Sequence, residues 1–141
     1  MIVTIKQIFE GSSDSFANVV YDYYIKAILE SGKEIEIFDL NCFNLQDYIG
    51  KKVDCLLYPW LGKKISNFII KGKFIGKVSL SSDWLEYNNK YLDLNGYYGI
   101  KTLDGIYVID EIYTKKFELV SGIEVKFFTN RIDLLAWKPL K

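Results

Sequence analysis

Apolar and polar residues alternate with a period of two along most of this chain, beginning near its first residue. Ile2, Thr4, Lys6 and Ile8 interleave with Val3, Ile5, Gln7 and Phe9, so both faces of a first strand are largely apolar and should be covered. Gly11 to Asn18, with its serines, reads as a polar loop. A longer strand follows, with Tyr21, Tyr23, Ile25, Ala27 and Leu29 on one face and Asp22, Tyr24, Lys26, Ile28 and Glu30 on the other. Beyond Ser31 and Gly32, Ile35 and Ile37 alternate with Glu34 and Glu36. Only a register that pairs odd with odd residues buries both apolar sets on one face. The pattern therefore predicts a three-residue loop or a bulge, with Leu29 opposite Ile35 and Ala27 opposite Ile37.

Asn41 to Tyr48 carries no strand pattern; Asn44 is placed to cap one helical turn ending at Tyr48, with Asp47 near its positive end. Gly50 then releases a third strand, with Val53, Cys55 and Leu57 on one face and Asp54, Leu56 and Tyr58 on the other. Pro59 has no amide hydrogen for a ladder and ends it. Trp60, in the turn through Leu61 and Gly62, is a candidate exposed aromatic.

A long strand, a glycine turn, a strand carrying I-E-I-F-D, a short crossover and then G-K-K-V-D-C-L-L resembles an OB-fold over roughly the first half of the chain. The resemblance implies a small barrel.

Ile65 to Leu80 is interrupted at Gly72 and Gly76 and predicts a strand with a glycine bend. Ser81 to Asn89, holding Trp84 and Tyr87, predicts a loop or one helical turn; Tyr91, Leu92 and Leu94 predict a brief strand before a turn at Asn95 and Gly96. Asp104 and Gly105 between Tyr98–Leu103 and Ile106–Ile109 predict a type I′ hairpin, Leu103 facing Ile106 and Ile100 facing Ile109. A last hairpin joins Phe117–Val120 through Ser121 and Gly122 to Ile123–Thr129, and Arg131–Trp137 forms a final strand stopped near Pro139. The expected fold is all-β: a single antiparallel barrel, OB-like or related, elaborated by C-terminal hairpins or by a small C-terminal sheet.

Composition narrows what such a fold can do. With 141 residues, half of them hydrophobic, one domain spanning residues 1–141 can bury roughly two thirds of its unfolded surface without disulfides or metals. No apolar run approaches the roughly 18 residues of a membrane span, and Met1 to Phe9 reads as a strand rather than a signal peptide. The cytoplasm is the expected location, with no membrane partner. Cys55 faces inward as a small core residue, and Cys42 lies in the crossover; their pairing stays open.

Histidine is absent, which removes Ser-His and Cys-His pairs and histidine-ligated metals. There is no paired C-x-x-C spacing for a metal and no glycine-rich phosphate cradle, so no cofactor is expected. Asp110 with Glu111, and Glu34 with Glu36, are the carboxylate pairs available for acid–base work, although each also reads as ordinary solvated strand charge. No catalytic residue is expected.

Charge is distributed unevenly beneath a net of zero. Residues 1–50 hold three lysines against eight carboxylates, net −5, whereas residues 51–77 hold seven lysines against Asp54, net +6. Lys51, Lys52, Lys63, Lys64, Lys71, Lys73 and Lys77 in this band interleave with Tyr58, Trp60, Phe68 and Phe74. Single-strand nucleic-acid binders combine a positive groove with aromatic platforms; lysines on strand faces and edges also simply discourage aggregation. Trp60, Trp84 and Tyr87 suit anchors of a protein interface, or core positions. The expectation is a non-catalytic binding module for another protein, of accessory or immunity type. Single-stranded nucleic acid, held by the basic band and its aromatics, is the alternative; the candidate binding residues are Trp60, Lys63, Lys64, Lys71, Lys73, Trp84 and Tyr87.

Overall fold

The computed structural model describes residues 1–66, 68–87 and 92–140. In chain order its strands are β1 (Ile2–Glu10), β2 (Ser13–Asp14), β3 (Val19–Val20), β4 (Tyr23–Leu29), β5 (Glu34–Asp39), β6 (Lys52–Pro59), β7 (Phe68–Val78), β8 (Tyr97–Thr102), β9 (Gly105–Ile109), β10 (Glu124–Thr129) and β11 (Ile132–Pro139), with one α-helix, α1 (Glu111–Lys116). Five of them close a barrel in the order β1-β4-β5-β11-β6, and β10-β7-β8-β9 form a second sheet. That sheet is inserted between the fourth and fifth barrel strands, so the chain returns to the barrel only with β11.

Alternation determines what lies inside. Ile25, Ala27, Leu29, Ile35, Ile37, Val53, Cys55, Leu57 and Leu134 are buried, and Leu45 of the crossover joins them with no exposed surface. The same apolar cluster runs into the inner face of the second sheet through Ile70, Phe74, Ile100, Tyr107, Ile109, Val125 and Phe127. β1 is apolar on both faces because a bulge between Ile5 and Gln7 exchanges its faces. β7 bends at a second bulge, between Phe74 and Gly76, where Gly76 takes φ +81. The all-β class, the barrel, the glycine bend and the strand end at Pro59 match the sequence pattern.

Several local expectations are corrected. The first hairpin does have a three-residue loop, Glu30 to Gly32, with Gly32 at φ +89 and the Leu29 N–H donating to the Lys33 carbonyl at 2.8 Å. Odd residues do pair with odd, but two positions tighter: Ala27 faces Ile35 and Ile25 faces Ile37. The second hairpin slips by the same amount, with Thr102 opposite Gly105, Ile100 opposite Tyr107 and Tyr98 opposite Ile109. Its turn residues are Leu103 and Asp104, neither at positive φ, so it is not type I′. Gly105 instead takes up the reversal at φ +137.

Asn44 is not a helix cap. It sits at φ +59, and a 3₁₀ turn over Gln46–Tyr48 starts after Leu45 with no side-chain cap. Leu92 and Leu94 are not in a strand, and Tyr91 lies outside the described residues. Phe117–Val120 is not a strand either. Asp110 accepts hydrogen bonds from the Ile112 and Tyr113 amides at 3.1 and 3.4 Å and nucleates α1. The amides of Phe117, Glu118 and Leu119 then close the helix end on the carbonyls of Tyr113, Lys115 and Thr114. They are consumed there, and no ladder forms.

Candidate functional site

Pro59 ends β6 and leaves Trp60 beside the start of β11, where the Trp60 N–H donates to the Arg131 carbonyl at 2.9 Å. The buried Thr129 hydroxyl holds the same residue from the other side: it donates to the Arg131 carbonyl at 2.7 Å and accepts from its N–H at 3.3 Å. So fixed, the guanidinium lies 4.0 Å from the Trp60 ring and 4.3 Å from the Phe38 ring. Phe38 in turn packs on Tyr24, its cross-strand partner, at 5.0 Å. Asp133 ties the assembly together, accepting from Arg131 Nε at 2.7 Å and from Trp60 Nε1 at 3.0 Å. The result is a stack Tyr24–Phe38–Arg131–Trp60 whose outer member is 44% exposed.

Beside the stack runs a groove of about 490 Å³ lined by Glu34, Glu36, Phe38, Ser66, Phe68 and Asn130, among others. It opens where β5 and β11 meet, because that junction consists of one parallel pair, Asp133 opposite Phe38. Its lining mixes charge: Glu34 and Glu36 stand with Arg131, and Lys33 lies over the Phe68 ring at 4.2 Å. Glu34 meets Lys6 at 3.4 Å in a half-exposed pair, and such pairs contribute about 0–1 kcal/mol.

A smaller hollow of about 330 Å³ gathers Tyr58, Tyr97, Asp93, Asp110 and Asp133. Burial raises the Tyr58 hydroxyl well above the usual tyrosine range, aided by its hydrogen bond to Asp110, and burial likewise raises Tyr97. Both remain neutral donors. Each carboxylate has structural work: Asp110 caps α1, Asp133 holds Arg131 and Trp60, and Asp93 accepts from the Asn95 amide at 3.0 Å. Glu111 is drawn away to Lys115 at 3.2 Å, and Glu34 and Glu36 line the other groove.

The basic band does not form a single surface. Lys51 lies over Tyr48, Lys52 pairs with Glu30, Lys63 lies over Phe117, and Lys64 is exposed in the loop after β6. Lys71 and Lys73 instead project from the outer face of the second sheet. There Lys71 is opposite Lys126, and Lys73 stands between Glu124 and Lys101, in company with the exposed Ile69 and Ile106. Lys101 and Lys126 belong to this face although they lie outside the sequence band.

Trp84 is a core residue and not a surface anchor: it is 9% exposed and packs with Leu56, Val108 and Ala136, outside the barrel wall. Lys138 covers its ring at 4.3 Å. Tyr87 is half-buried and packs on Trp137 at 5.5 Å. Neither joins Trp60. Arg131, Phe38 and Tyr24 were not singled out by sequence; the only arginine of the chain was the available signal. Cys42 and Cys55 are both free thiols, with Cys55 pushed up to about 12 by complete burial. Among the described residues no cluster of three or more metal-ligating side chains occurs, and no helix is long and apolar enough to cross a membrane.

Comparison of the chain with family models, with curated proteins and with solved structures finds no match.

Proposed function

We propose that this protein is a non-catalytic binding module on an OB-like barrel, and that its partner is another protein docking at the Trp60–Arg131 stack and the adjoining groove. The OB reading is supported by strand order: an antiparallel three-strand meander, a crossover with a 3₁₀ turn, a fourth strand returning to the first, and a fifth parallel to the third. The observation that carries the function is the exposed Trp60 locked on Arg131. Exposed tryptophan and arginine on a pre-ordered support are the residue types that dominate protein interfaces, because little side-chain freedom is left to lose on docking. Glu34 and Glu36 on the groove wall oppose a phosphate backbone, and the Arg131 charge that also lines it is already engaged by Asp133, which argues against nucleic acid at this place.

The nucleic-acid alternative has one observation in its favour. Lys71 faces Lys126 and Lys73 faces Lys101 directly across strands, and like charges so placed are destabilising by about 0.2–1 kcal/mol. A polyanion on that face relieves the repulsion.

Panning a displayed random-peptide library against the wild type, with Trp60→Ala, Lys71→Glu/Lys73→Glu and oligo-dT in parallel, separates the two. The proposal expects enriched peptides whose binding falls at least tenfold in Trp60→Ala and persists in the lysine variant. Salt-sensitive oligo-dT binding lost only in the lysine variant would overturn it in favour of nucleic acid.

A further inference from the structure

The groove has a backbone property that the stack does not explain. The Leu29 N–H bonds the Lys33 carbonyl, so residues 29 and 33 form a hydrogen-bonded pair of the β4–β5 ladder. Alternation then directs the backbone groups of the odd residues, Ile35 and Ile37, toward β4. Those of Glu34, Glu36 and Phe38 point away from β4, across the sheet's other edge. On that side β11 engages β5 only opposite Phe38. The N–H and C=O groups of Glu34 and Glu36 there have no strand partner among the described residues, and the space in front of them is the groove of about 490 Å³.

We infer that this groove takes an extended peptide as an added strand on the β5 edge, one in which lysine or arginine alternates with apolar residues. The inference rests on the protein-docking role proposed for the same groove and specifies its mode. An added strand continues the pleat of β5, so alternate side chains stand beside Glu34 and Glu36 on the outer face while the others face the barrel side, near Ile35 and Ile132. Opposite charges in such neighbouring positions are favourable. A second copy of this chain is the wrong occupant: pairing two β5 edges sets glutamate against glutamate, which is how an open edge is kept from self-association.

The test uses the full chain and the synthetic hexapeptide Lys-Val-Lys-Thr-Lys-Val, blocked at both ends. Its counterpart with glutamate for lysine, and a version N-methylated at alternate backbone amides, serve as controls. Binding is followed by amide NMR shifts and hydrogen exchange. The lysine peptide is expected to slow exchange at the Glu34 and Glu36 amides, to bind at least tenfold more tightly than the N-methylated one, and to lose to the glutamate peptide in Glu34→Lys/Glu36→Lys. Binding at the groove that ignores N-methylation and leaves those amides unprotected overturns strand addition while the docking role stands. Failure of all three peptides to shift any groove residue overturns it as well, and the panning experiment with Trp60→Ala then decides the docking role separately.

Discussion

Two residues occupy positions that their chemistry resists. Glu118 follows the C-terminus of α1 at φ +50, where a left-handed conformation costs a non-glycine residue about 1–2 kcal/mol, and its negative charge meets the negative end of the helix. Glycine removes both penalties but adds about 0.4–1 kcal/mol of freedom to the unfolded chain. Glu118→Gly is thus expected to raise stability by about 0.5–1 kcal/mol in urea unfolding. Asp39 is fully buried and accepts from the Phe43 and Asn44 amides at 3.0 and 3.1 Å, fixing the crossover. Desolvation nevertheless raises its carboxyl above the ordinary 3.8, the backbone donors offsetting only part. The folded state then holds a proton that the unfolded chain releases, so this group favours folding at acid pH and loses that contribution as pH rises through its folded pKa. In Asp39→Asn the group is absent, and the stability difference between variant and wild type should shift in the variant's favour from about pH 3 to pH 7. A difference constant over that range would show that Asp39 titrates normally.

At the scale of elements, the crossover is a plug. Leu45 has no exposed surface and belongs to the barrel cluster, so Leu45→Ala should cost about 2–5 kcal/mol by chemical denaturation, the range for a buried leucine left as a cavity. A loss under about 1 kcal/mol would mean that the barrel end closes without it. The elements legible in the sequence were those whose faces alternate, because burial enforces parity: Ile25, Ala27, Ile35 and Ile37 had to share a side. The offset within that parity was not legible. Both hairpins sit two residues from the expected pairing, since turn geometry at Gly32 and Gly105 chooses among registers that bury the same face. Helix α1 carried a readable signal in Asp110, with acidic Glu111 in its first turn and Lys115 and Lys116 in its last. It was obscured by apolar residues downstream that resemble a strand. The Trp60–Arg131 stack was invisible for a different reason: Tyr24, Phe38, Trp60 and Arg131 meet only because the barrel closes, and no local pattern encodes that meeting.

For the whole molecule, the uneven charge along the chain does not gather into one surface: Lys51, Lys52 and Lys63 are dispersed over Tyr48, Glu30 and Phe117, while Lys71 and Lys73 join Lys101 and Lys126 on the outer face of the second sheet. The insertion of the second sheet has a kinetic side. β11 must find both β5 and β6, yet residues 60–131 intervene, and closing so long a loop without prior order is slow. The two ends of the insertion are sutured side by side, through Trp60 with Arg131 and through Gly62 with Phe128, each with a backbone bond of 2.9 Å. Once the second sheet has formed, it delivers β11 to the mouth of the barrel, and the search for the last strand becomes local. During synthesis the first four barrel strands emerge well before this happens. Until then the nascent barrel exposes two open edges, β5 and β6, and the chain is at its most vulnerable to pairing with a neighbour.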